Sequence, residues 1–184
     1  MIKGITRNEF ERIPLKDRQQ DAMRTLVRWL EMLQKSWVKY SIWCWTMLWL
    51  YRDWKFIDCD LDVDINIIMD WNTFDKFDEE YLLKLFSNWK LIRTIHHEDK
   101  PCQIAFMSEF NVIFDLTFYY TGIKEWRVIS YSDVGIVSED ASLFEWLIPS
   151  PCEKYLEDRY WNWRTPASEF APWNTYCKSI VKWI

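Results

Sequence analysis

Between positions 18 and 37 apolar residues return every three or four places. Met23, Leu26, Val27, Leu30 and Leu33 share one side, with charged residues between them, and that period belongs to an amphipathic helix. The spacing predicts a helix over 18–37. A short strand over 39–44 follows, then a short helix over 46–53 with Thr46 at its N-cap. Strict alternation over 60–68 predicts a half-buried strand. The segment DKFDEEYLLKLFSN, 75–88, reads as a second amphipathic helix. Further strands are expected over 90–97, 102–107 and 111–120, separated by the breakers HEDKP and SEF, and another over 127–131. From Pro149 onward the chain reads as a helix and then an irregular arm. Together these elements predict an α+β fold with a mixed sheet flanked by helices. A single domain is expected over 1–184, with 149–184 as its C-terminal arm.

Composition narrows the function classes. The chain has 184 residues, of which 49% are hydrophobic and 28% charged, enough for a sizeable core under a solvated surface. A net charge of −5 lacks the basic face that nucleic acid requires, so no nucleic-acid partner is expected. The five cysteines are odd in number and form no CxxC pair. They signal neither a disulfide framework nor a zinc ribbon, and a reducing cytoplasm is the simplest reading. The charged N-terminus has no apolar core of a signal peptide. The longest apolar run, Ser41 to Tyr51, falls far short of the roughly 20 residues that span a bilayer. No transmembrane segment is expected, and contact with a membrane surface is left open.

Candidate chemistry sits on the alternating strand. Asp58, Asp60, Asp62 and Asp64 share one face if the strand begins that early, and Cys59, Leu61, Val63, Ile65 and Ile67 share the other, buried one. Carboxylates two residues apart on a strand lie about 6.6 Å from each other and repel by roughly 2–3 kcal/mol at an effective dielectric of about 20. Aspartate is also a poor strand former, so four in alternation ask for a cause. A divalent cation supplies one, since Mg²⁺ prefers carboxylate and phosphate oxygens. The other reading is a solvated edge strand. Asp115, in NVIFDLTFYY, is the one acid in an apolar and aromatic strand. If that strand neighbours 60–68, Asp115 adds a third carboxylate. His96 and His97 are adjacent, face opposite ways in a strand, and suit no metal.

The run WTMLWLYRDWKFIDCDLDVDI resembles the signature of the LicD-type phosphotransferases, the family that also includes fukutin-related proteins. Its pattern is GT-x-L-G-x-x-R-x-G-x-F-I, two residues, then D-x-D-x-D. Thr46, Leu48, Arg52, Phe56, Ile57, Asp60, Asp62 and Asp64 fall in register. A second block, KYLEDRYWNWRTP at 154–166, is similar to the family's tail through Tyr155, Leu156, Tyr160, Trp163 and Pro166. The resemblance implies a nucleotidyltransferase-type fold. It also implies transfer of a phosphorylated alcohol, such as phosphocholine, from a CDP-activated donor to a hydroxyl of a cell-surface glycan or glycolipid. Asp62 and Asp64 would hold Mg²⁺ or Mn²⁺, with Asp60 supporting. Asp115 would complete the metal shell or act as general base. Thr46 would open a helix whose amides face phosphate, and Arg52 would offer its fork to phosphate oxygens. Two alternatives stand beside this reading: another nucleotidyltransferase, or a non-catalytic binding or scaffold protein.

The match departs from its pattern in one systematic way. Family glycines are tryptophan at Trp45, Trp49, Trp54 and Trp161, and Trp37, Trp89 and Trp126 also sit where a glycine would be natural. The chain holds 14 tryptophans and 3 glycines, against the roughly 13 glycines that an average usage of about 7% gives. A codon read as glycine in the cell and as tryptophan in translation (UGA in some bacterial lineages) accounts for both counts. Taken literally, the indoles would obstruct the approach of a phosphate.

Overall fold

The computed structural model describes residues 14–55, 60, 62–70, 76–124, 127–132, 135–140, 151–160 and 163–165. In chain order they form α1 (Leu15–Gln34), β1 (Lys39–Ile42), α2 (Cys44–Arg52), β2 (Asp62–Asp70), α3 (Lys76–Leu85), β3 (Lys90–His97), β4 (Lys100–Met107), β5 (Ile113–Lys124), β6 (Arg127–Ser132), β7 (Gly135–Asp140) and α4 (Cys152–Arg159). The fold is α+β around a mixed sheet. Its main path runs β1-β2-β5-β4-β3, and β6 and β7 extend from β5. Only β2 and β5 pair in parallel among the described strands; the other pairs are antiparallel.

Alternation divides the sheet into two faces. Val63, Ile65 and Ile67 of β2, Phe114, Leu116 and Phe118 of β5, and Ile104 and Phe106 of β4 are buried on one of them. The same hydrophobic cluster takes in the apolar sides of α1 and α3, with Trp29 stacked on Phe86 at 4.4 Å and set against Phe114. Each such aromatic removes roughly 150–250 Å² from water, so this layer is the main apolar investment of the fold. The buried stripe of α1 is Ala22, Thr25, Leu26, Trp29 and Leu33. It is rotated from the predicted one: Val27 is exposed, and Met23 and Leu30 are only half-buried. Trp29 causes the rotation, because the largest apolar side chain on the helix takes the centre of the interface.

Element boundaries moved where partner strands decide them. β2 begins at Asp62 rather than at 60, because its parallel partner begins there: Asp62 pairs with Ile113. α2 begins at Cys44 with Trp43 at the N-cap, so Thr46 is inside the helix and caps nothing. Not foreseen from periodicity is β7, whose run GIVSED offers too few apolar places to show a period. The helix expected after Pro149 is α4. The irregular arm beyond 165, with Pro166, lies outside the described residues, as do Phe56, Ile57, Asp58, Cys59, Leu61, Trp126 and Trp161.

The tryptophans separate into unlike cases. Trp49 is fully buried inside α2, and Trp45 is half-buried against the core. Trp54 is 79% exposed and has φ 53°. It follows Asp53, the C-cap of α2, at the place where helices end on glycine in the left-handed region. Of the motif positions that read as tryptophan among the described residues, this one occupies a conformation that favours glycine. An L-residue there costs roughly 1–2 kcal/mol, and an exposed indole recovers little by burial. Replacing Trp54 by glycine should raise unfolding stability by about 1 kcal/mol, or about 2–4 °C in midpoint for a chain of this size. Trp49→Gly should lower it by about 3–5 kcal/mol by opening a cavity. Denaturant and thermal unfolding of both variants check this. A destabilised Trp54→Gly protein would show that the exposed indole is part of the fold.

Candidate metal centre

The sheet face opposite the core carries the acids. In the β2–β5 pair, Asp64 stands directly across from Asp115. Asp62 lies two residues earlier on the same face of β2. One carboxylate oxygen from each of Asp62, Asp64 and Asp115 lies within 4.8 Å of the others. Asp115 is buried and the other two are half-buried. The expected third carboxylate from the strand beside β2 is therefore in place. Asp60 precedes the strand, is itself buried, and is not one of this group. The acidic alternation extends back to it, but β2 begins where β5 begins, at Asp62 opposite Ile113.

Electrostatics reflect the crowding. Burial raises the Asp64 carboxyl well above the usual carboxylate range, and Asp62 and Asp115 raise it further, while Arg159 and Arg93 pull it back. Burial also pushes Asp115 up to about 7; Asp62 adds to this by its charge and by a hydrogen bond, and Arg93 opposes it. Without a cation, burial and mutual repulsion favour the protonated forms of Asp64 and Asp115. Three carboxylates this close together could hold a divalent metal ion.

The remaining expected site residues do other work. Thr46 is fully buried, and its Oγ1 accepts the Asp64 backbone N–H at 2.8 Å. The Trp43 N–H reaches the Asp64 carbonyl at 3.3 Å. The start of α2 therefore grips the backbone of a cluster member and fixes where its carboxylate points. Arg52 uses its whole fork internally: Nε and Nη2 donate to Asp53 and Nη1 to the Trp163 carbonyl. Both side chains thus make internal hydrogen bonds in this structure. His96 meets Glu79 at 2.9 Å, as a strand-edge pair.

Some side chains at the cluster escaped the sequence reading. Arg93 of β3 donates from Nη2 to both oxygens of Asp115, at 2.9 and 3.2 Å. Arg159 of α4 is buried, lies over the Trp43 ring and donates to Cys44 Sγ at 3.1 Å. Asn66, two residues beyond Asp64 on the same face, is fully buried, and its amide has no hydrogen-bond partner among the described residues. An arginine two strands away in space and 22 residues away in sequence leaves no local pattern. Asn66 was the one visible signal, since it continues the acidic alternation into an apolar strand.

No protein-family model matches the chain, and no curated protein matches it. Among the described residues no helix is long and apolar enough to cross a membrane.

The Asp115 shift has a consequence for stability. In the folded, ion-free protein its carboxyl keeps a proton up to about pH 7, whereas in the unfolded chain it loses it near pH 4. Between those values the unfolded state binds fewer protons, so this group makes stability fall as pH rises, with the loss complete above about 7. Asp115→Asn removes that dependence. In the presence of a chelator, the variant should gain on the parent protein between about pH 5 and about pH 8. Urea unfolding at both values measures the difference. An equal difference at both would show that Asp115 ionises without penalty.

Proposed function

We propose that this protein is a metal-dependent transferase on a nucleotidyltransferase-type sheet. It would move a phosphorylated alcohol, of the phosphocholine kind, from a CDP-activated donor to a hydroxyl of a cell-surface glycan or glycolipid, working in the cytoplasm or at the inner membrane face. The observation that carries the reading is the convergence of Asp62, Asp64 and Asp115 from adjacent parallel strands to within 4.8 Å. The resemblance of residues 45–64 and 154–166 to LicD-type phosphotransferases supplies the reaction.

Asp62, Asp64 and Asp115 would hold Mg²⁺ or Mn²⁺. A bound ion of this kind neutralises diphosphate charge and orients the leaving phosphate. The chain's own residues supply positioning, which is most of what phosphoryl transfer asks of a protein. Thr46 and Trp43 fix the Asp64 backbone. Asp115 would either complete the metal shell or accept the acceptor hydroxyl's proton. Arg159, held on Trp43 and Cys44, places a fixed positive charge near Asp64. A scaffold reading draws on the internal hydrogen bonds of Thr46 and Arg52, which occupy two side chains that the motif assigns to substrate.

The test is product analysis with CDP-choline, Mg²⁺ or Mn²⁺ and a glycolipid acceptor. CMP release with phosphocholine on the acceptor is the expected result. Asp62→Asn and Asp64→Asn should each lower turnover by about three orders of magnitude. Both should stay folded, with an unchanged or higher melting midpoint in chelator, because like charges are relieved. Unchanged turnover in either variant would remove the metal site. Pyrophosphate release from a nucleoside triphosphate offered in place of CDP-choline would move the protein to nucleotide transfer, and absence of both Mn²⁺ binding and product would favour the scaffold.

A further inference from the structure

Arg93, Ala105, Asp115 and Asp64 form one row across β3, β4, β5 and β2, each the direct cross-strand partner of the next. Adjacent strands lie about 4.8 Å apart, so Arg93 reaches over a whole strand to meet Asp115. The residue it crosses is Ala105, whose side chain is one methyl group. A larger residue there would stand in the path of the guanidinium.

Arg93 and Arg159 act on the cluster, Arg52 belongs to the first motif block, and the three differ in what they have left to offer. Arg52 is saturated and its side chain is 14% exposed. Arg159 is buried under Trp43 and Tyr155. Arg93 is 47% exposed. Only its Nη2 is used; Nη1 and Nε meet no partner among the described residues. Phosphate recognition by arginine needs two parallel N–H donors, and Arg93 keeps donors facing solvent within reach of the carboxylates. Its contact with Asp115 places a cation where the three carboxylates need one.

Resting on the reading of these carboxylates as a cation site, we propose that Arg93 is a donor-binding residue with two positions of use. In the ion-free protein it donates to both carboxyl oxygens of Asp115. Once a divalent cation takes the carboxylates, that partner is claimed, and the guanidinium turns its fork to the diphosphate oxygens of the donor. Arg93 and the ion are then competitors for Asp115 and allies for the diphosphate.

That double relation gives a crossed signature. Mn²⁺ binding is measured on the whole protein by titration calorimetry or electron paramagnetic resonance. CDP binding is then measured at saturating Mn²⁺. Arg93→Gln should tighten Mn²⁺ alone by about tenfold and weaken CDP by about ten- to hundredfold, the range of one charged hydrogen-bonded contact. Arg93→Lys keeps the charge without the fork, so Mn²⁺ affinity should stay close to the parent's while CDP still weakens. CDP affinity unchanged in Arg93→Gln overturns the inference. So does a fall in Mn²⁺ and CDP affinity together, the mark of a residue that only shapes Asp115. A parent protein that binds no Mn²⁺ removes the cation site itself and the inference with it, whereas Mn²⁺ binding that is indifferent to Arg93 removes the inference alone.

Discussion

The parallel pairing of β2 with β5, in the register that sets Asp64 opposite Asp115, is the constraint on which the rest of the molecule depends. It puts acidic side chains from two distant segments on one face while closing Val63, Ile65, Ile67, Phe114, Leu116 and Phe118 into the core on the other. A slip of one residue would exchange the faces, burying carboxylates among aromatics and exposing the apolar set. The hydrophobic layer therefore enforces the acidic cluster. Repulsion within the cluster is accepted because the register that would relieve it costs far more apolar burial.

Around that pair the two motif-like blocks dock on each other. Tyr155 of α4 packs on Trp43 at 4.3 Å, and its hydroxyl takes the Cys44 amide proton. Arg159 lies over Trp43, and the Trp163 carbonyl receives Arg52. Segments 111 residues apart thus form one support, and α2 transmits it to Asp64 through Thr46. The most recognisable residues of the first block, Thr46 and Arg52, hold the site's frame, and the residues nearest the carboxylates come from outside it.

Much of the fold was legible in the sequence. The alternation of Asp62, Val63, Asp64 and Ile65 named a strand and both of its faces, and the sharp breakers between 97 and 111 separated β3, β4 and β5. Asp62, Asp64 and Asp115 were legible as candidates because an acid in an apolar strand contradicts its surroundings. The extent of the acidic face was not. Asp60 continues the pattern but lies beyond the first residue paired with β5, and a strand ends where its partner does, whatever its own period. The face of α1 was likewise misread by one step, since the size of Trp29 outweighed the count of aliphatic positions.

By itself the sequence determined the local periods, the chemistry of the acids and the anomaly at Trp54, because each depends on a residue and its immediate neighbours. Tertiary structure alone decided that Arg93 crosses Ala105 to Asp115, that Arg159 closes on Trp43 and Cys44, and that Thr46 turns inward to the Asp64 backbone. The hydrogen bonds among those contacts join residues 18 to 115 positions apart, and cross-strand register and helix docking set them. The energy of register comes from the summed burial of a whole sheet face, a quantity no short stretch of sequence contains.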